Sequence, residues 1–169
     1  RAKYINSQFD RSVTWKDAEW MIKEWGGPFA IKGILNAQDA ARAVKIGATG
    51  IIVSNHGGRQ LDHAASPMSV LPEIVDAVGG RADIIVDGGI RRGTDIVKAI
   101  ALGAKSGMGG RPYLYGLSAG GFTGVSRAMN IISDELNRDM SLLGVDKIDK
   151  IGARHIRHHP AQTPYPQNF

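Results

Sequence analysis

Short apolar runs alternate along this chain with longer stretches in which apolar residues return every three or four positions. The runs at residues 29–34, 50–55 and 83–87 are nearly continuous in Ile, Val, Ala and Phe, as expected of strands covered on both faces of a parallel sheet. The longer stretches at 14–25, 36–45, 66–78, 93–102 and 121–143 have helical spacing. Their punctuation agrees. Thr14 is a suitable N-cap with Asp17 three residues on, Gly26-Gly27-Pro28 ends the first helix, and Pro67 suits a first turn. Residues 105–110 form a fourth strand candidate. Its core, Ser106-Gly107-Met108-Gly109-Gly110, holds one large apolar side chain, so this strand is expected to be irregular or poorly packed.

The order is one helix followed by four β-α units, the pattern of a parallel sheet with crossover helices. The units share a form, seen in Ile46-Gly47-Ala48 and Leu102-Gly103-Ala104. That regularity favours a (β/α)8 TIM barrel over a doubly wound sheet. A complete barrel takes about 200 to 250 residues. With 169 residues and four strands, the chain reads as the C-terminal half of one. The half-barrel is assigned to residues 1–153. Residues 154–169, basic and carrying Pro160, Pro164 and Pro166, are expected to be a flexible tail.

Composition narrows the function classes. The chain is 43% hydrophobic and 22% charged, in the range of soluble globular proteins. It has no cysteine, which removes disulfides, thiol catalysis and thiolate-bound zinc, and no metal site is expected. No apolar run approaches the roughly 20 residues that span a bilayer. The sequence starts at Arg1 without a signal-peptide pattern, and reads as a piece of something longer. The net charge of +5 is partly concentrated in the tail. No aromatic-interleaved basic stripe accompanies it, so nucleic acid is not an expected partner. A solvated tail or attraction to anionic substrates or membrane surfaces accounts for the charge.

The chemistry gathers just after the strands. Ser54-Asn55-His56-Gly57-Gly58-Arg59-Gln60-Leu61-Asp62 follows the second strand, placing a proton-transfer residue, His56, and a fixed cation, Arg59, at the strand end where barrels collect catalytic groups. An imidazole and a guanidinium suit an enzyme acting on a small organic acid. Asp62 either orients a neighbour or caps a helix. After the third strand, Asp87-Gly88-Gly89-Ile90-Arg91-Arg92-Gly93 leads into a helix, and Gly110-Arg111-Pro112 repeats the theme after the fourth. Glycine amides, a helix N-terminus and Arg91 suit a phosphate, and Asp87 suits sugar or ribityl hydroxyls. Lys32, inside an apolar strand, is expected to be paired or to project as a cation into the barrel mouth beside the electron-accepting part of a cofactor.

Together, Ile31-Lys32-Gly33-Ile34, the His56–Arg59 segment, the Asp87–Gly93 segment and Gly110-Arg111-Pro112 resemble the FMN-dependent L-2-hydroxy acid oxidase and dehydrogenase family. The resemblance covers about residues 10–156 and implies FMN as cofactor. By it, an L-2-hydroxy acid such as lactate or mandelate is oxidised to the 2-oxo acid, with electrons passed to quinone, cytochrome or oxygen. His56 is then the base that takes a substrate proton, and Arg59 pairs with the substrate carboxylate. Lys32 lies by flavin N1 and O2, Ser54 is a further flavin contact, and Asp87 meets the ribityl chain. Gly88, Gly89, Arg91, Gly110 and Arg111 hold the phosphate. The family's tyrosine pair and its histidine-paired aspartate belong to the first half of the barrel, which is therefore an implied partner, together with homo-oligomerisation as a tetramer. A cytoplasmic location is implied, with peripheral attachment at the inner face of the bacterial inner membrane in the dehydrogenase branch. The alternatives are a non-catalytic flavin- or phosphate-binding half-barrel, or another FMN-binding barrel enzyme. The latter has no evident need of a His-Gly-Gly-Arg pair for a carboxylate.

Overall fold

A computed structural model describes Tyr4, Ser7, Gln8 and residues 10–157. Helix α1 (Trp15–Trp25) starts at the N-cap Thr14, where the Asp17 carboxylate accepts from both the Thr14 amide (2.7 Å) and its hydroxyl (2.6 Å). Then follow β1 (Ala30–Ile34), α2 (Ala37–Lys45), β2 (Gly50–Ser54), α3 (Pro67–Val78), β3 (Asp83–Asp87), α4 (Gly93–Ala101), β4 (Ser106–Met108) and α5 (Arg111–Leu142). All strand pairs are parallel, and the sheet order is β1-β2-β3-β4. A strand order that runs in sequence without reversal is barrel topology, since a doubly wound sheet turns back at its switch point.

One face of the sheet is closed. Ile51 and Val53 of β2 and Ile84 and Val86 of β3 pack with Ala40, Ala43, Leu71, Ile74 and Val78 from the helices, forming the main core. Trp15 and Ile22 add the inner stripe of α1, with the Arg42 guanidinium 5.0 Å from the centre of the Trp15 ring. The alternate residues, Lys32, Ile52 and Ile85, face the other way. They are half-buried or exposed, because no described element covers that face.

Three boundaries differ from the sequence reading. Strand β4 is shorter than residues 105–110 and keeps only Ser106–Met108. Ile90 and Ile96 lie 3.5–3.7 Å from where a Cβ on Gly107 would stand, an ordinary packing distance. The last helix starts at Arg111, ten residues before the expected Gly121, which instead marks a break (φ 57°, ψ −137°) between two arms of α5. The packed body also passes the expected boundary at 153. Ile151 and Ile156 join Val97, Ala101, Met140 and Val145 in a second core between α4 and the longer arm of α5. Residues 158–169 of the expected tail lie outside the described residues.

Candidate functional site

Polar side chains from three adjacent strands meet at one end of the sheet. Lys32 of β1 donates to the Ser54 hydroxyl of β2 (2.8 Å) and forms a hydrogen-bonded ion pair with Asp87 of β3. Ser54 donates to the same Asp87 oxygen (2.7 Å). The register explains the meeting. Ser54 and Asp87 are direct partners across β2 and β3, and Lys32, paired with Ile52, sits one pleat below and reaches up. Ser54 is fully buried. Burial opposes ionisation of Asp87, but the hydrogen bonds from Lys32 and Ser54 and the charges of Lys32 and His56 outweigh it, holding this carboxyl below its ordinary range. Lys32 is therefore a paired cation at the strand end.

His56 rests on this network. Its amide donates to the Ser54 hydroxyl oxygen (3.1 Å). Its ring lies against Gly33, where β1 shifts register and φ is +100°; a Cβ there would stand 3.0 Å from Nε2. The bulge and the missing side chain together make room for the imidazole. Arg59 follows the short 3-10 turn His56–Gly58 and is exposed. It makes no hydrogen bond or ion pair among the described residues. Asp62 is also exposed; its carboxylate accepts from the His63 amide and caps no helix.

The two glycine loops expected to hold an anion follow β3 and β4, and their donors are divided between them. The N-terminus of α4 is already satisfied. Asp95 accepts from the Arg91 and Arg92 amides (both 3.0 Å), and Glu135 of α5 accepts from the Gly93 amide (3.0 Å). Arg92 clasps Glu135 through Nε (3.0 Å) and Nη2 (2.7 Å). That end of α4 therefore offers no free amide at these positions, contrary to the sequence expectation. The amides of Gly89, Gly109 and Gly110 have no acceptor among the described residues. Open space lies over Gly89 and Gly110, with no atom within 4 Å of the position a Cβ would occupy. Gly88 also has a positive φ, and it packs on Asn55 and Pro67. Arg91 is exposed without an ion pair, and Arg111 donates to the Gly57 carbonyl oxygen (2.7 Å).

Among the described residues Arg59, Arg91 and Arg111 have no carboxylate partner, while Lys32–Asp87 and Arg92–Glu135 neutralise each other. This end of the sheet thus offers positive charge, free amides and an imidazole to an anionic ligand. A concavity of about 570 Å³ lies elsewhere. It opens at the N-terminal end of β4, lined by Gly103, Lys105, Lys147 and Ile151, and holds none of these groups. The Lys32–Asp87 contact, the Glu135 clasp and the reach of Arg111 were not legible in the sequence. All three join residues far apart in the chain.

The profile of the FMN-dependent dehydrogenase family matches residues 1–158. An L-lactate oxidase of Nostoc sp. is 50% identical over 148 residues, which are 88% of this chain and 40% of that protein. An L-lactate dehydrogenase of Alcaligenes faecalis is 48% identical over 157 residues, 93% of this chain and 41% of its own length. A solved structure described as the monotopic membrane protein (S)-mandelate dehydrogenase superposes with a TM-score of 0.88 at 40% identity, covering 94% of this chain and 42% of that one. The chain thus spans about two fifths of the length of the relatives it matches.

Proposed function

The chain belongs to the FMN-dependent dehydrogenase family, and from that premise we propose that it is the half of a flavin barrel that oxidises a small L-2-hydroxy acid to the 2-oxo acid. The observation that carries this reading is the strand-end cluster: His56 seated on the Lys32–Ser54–Asp87 network, with Arg59, Arg91 and Arg111, none in an ion pair among the described residues, on the loops around it.

The residues fit the cofactor. Open space over Gly89 and Gly110, their unpaired amides and the Arg91 and Arg111 side chains suit a phosphate, with Gly88 shaping the same loop. Asp87 keeps acceptor capacity for ribityl hydroxyls beyond its bonds to Lys32 and Ser54. FMN, when bound, supplies the acceptor for two electrons. Arg59 binds the substrate carboxylate through its planar fork, and His56 takes a substrate proton. Lys32, held in place by Asp87 and Ser54, stabilises negative charge at the electron-accepting end.

The relatives' remaining length would supply the other strands and cover the open face that carries Ile52 and Ile85. Homo-oligomerisation belongs to the same proposal. So does peripheral attachment to the cytoplasmic side of a membrane, supported by one relative's description as a monotopic membrane protein. Among the described residues no helix is long and apolar enough to cross a membrane.

The test is an anaerobic visible spectrum of the chain assembled with the remainder of its barrel, before and after adding L-lactate or L-mandelate. A flavin spectrum that bleaches supports the reading. A protein that takes up no flavin overturns it, and one whose flavin stays oxidised with both acids overturns the substrate assignment.

A further inference from the structure

The turn that carries His56 is not self-supporting. His56 has φ +55°, uncommon for a residue with a Cβ, and Gly57 and Gly58 follow at +71° and +70°. Two bonds hold the turn from nearby: the Gly58 amide donates to the Asn55 carbonyl (3.0 Å), and the His56 amide to Ser54 Oγ. The third support comes from 54 residues further along the chain. Arg111, the first residue of α5, donates through Nη2 to the Gly57 carbonyl oxygen at 2.7 Å. The contact is close, since a Cβ on Gly57 would lie 3.3 Å from that nitrogen.

We propose that Arg111 is a positioning residue for His56, joining the anion loop to the catalytic turn. The inference rests on the reading of His56 as the base. A guanidinium has five N–H donors in a rigid fork. One donor is committed to Gly57, and the others remain for an oxyanion held at the neighbouring Gly110 and Gly89 amides. An anion there restrains Arg111, Arg111 restrains the Gly57 carbonyl, and the left-handed turn presents His56 in one orientation. Phosphate occupancy is thereby coupled to the placement of the base, in addition to its part in binding. A lysine in place of Arg111 keeps the positive charge but lacks the fork needed to hold the carbonyl and an anion together.

Hydrogen exchange of the full chain without flavin, read by mass spectrometry with and without inorganic phosphate, tests this directly. Phosphate is expected to slow exchange of residues 56–60 in the unsubstituted chain. Arg111→Ala is expected to speed that segment roughly tenfold, the loss of one charge-assisted hydrogen bond, leave β2 unchanged and abolish the phosphate effect. If Arg111→Ala loosens the whole chain, Arg111→Lys decides: phosphate should no longer slow its 56–60 segment. Exchange of 56–60 that responds to phosphate equally in the unsubstituted chain and Arg111→Lys overturns the proposal. In the FMN-loaded enzyme, Arg111→Lys should lower kcat while leaving KM for the hydroxy acid nearly unchanged, with FMN affinity measured separately. A loss confined to FMN affinity would reduce Arg111 to a phosphate ligand and also overturn it. Absence of flavin uptake would strike the functional reading alone, since the exchange result does not depend on flavin.

Discussion

His56 and Arg59 stand three residues apart but are held in different ways. Both are exposed, but the backbone of His56 is tied to Ser54 and its ring lies against the Gly33 bulge, whereas Arg59 has no partner among the described residues. His56→Ala is expected to cut flavin reduction by roughly 10²- to 10⁴-fold, the usual worth of a positioned proton-transfer group, while flavin remains bound; stopped-flow absorbance checks both. Arg59→Lys should raise KM and lower kcat together, because a point charge does not replace a planar fork on a carboxylate; steady-state kinetics with L-lactate and L-mandelate would reveal it. Asp87 makes a pH prediction. Its pKa is depressed in the folded state, so its contribution to stability is present above the unfolded value of about 4 and is lost as pH falls through the lower folded value. Asp87→Asn should therefore flatten the acid side of the stability curve, read as Tm across that range. Lys32 was recognisable as an anomaly because an ammonium in an apolar strand needs a reason. Its partners were not, because they lie on two other strands.

The join between α4 and α5 shows how an element can be misread. Its sequence, Arg92-Gly93, looks like part of a loop open to anions. Packing instead brings Glu135 over it, and the backbones approach so closely that a Cβ on Gly93 would stand 2.3 Å from the Leu136 amide nitrogen. Gly93→Ala should therefore force α4 and α5 apart and cost about 1–3 kcal/mol, as overpacking does; chemical denaturation measures it. Glu135→Gln keeps one acceptor for the Gly93 amide, and should lower Tm less than Glu135→Ala, which leaves that amide and Arg92 both unpaired. Arg91, one residue earlier, makes no ion pair among the described residues. Most other elements were legible from periodicity and caps. Helix α5 was the exception: Gly116 weakens the helical pattern of its first arm, and Gly120 and Gly121 interrupt it with non-helical backbone.

The four-stranded sheet is closed by helices on one face only. Strands β1 and β4 are open edges among the described residues, and Ile52 and Ile85 lie on the uncovered face. An open edge and an apolar face together favour association. The purified chain is expected to self-associate, and to give a discrete, yellow, soluble species when co-expressed with the remaining part of its barrel. Light scattering coupled to size exclusion, with absorbance near the flavin band, separates the outcomes. A monodisperse colourless monomer would show that the open face tolerates water and would argue against a barrel-completing partner.

Local pattern determined the class of the fold here. Apolar runs, helical spacing and caps depend on near neighbours, and they marked out four β-α units, placing His56, Arg59, Asp87 and the glycine loops at strand ends. Tertiary structure alone decided which of these groups remain available. The Lys32–Ser54–Asp87 network, the closure of the α4 terminus by Glu135 and Asp95, and the hold of Arg111 on Gly57 make that selection. Of these contacts only Asp95 acts locally; the others depend on strand register and on where α5 starts and how it packs against α4. A side chain's charge is written in its residue type, but whether that charge is spent on the protein or offered to a ligand depends on what the fold brings beside it.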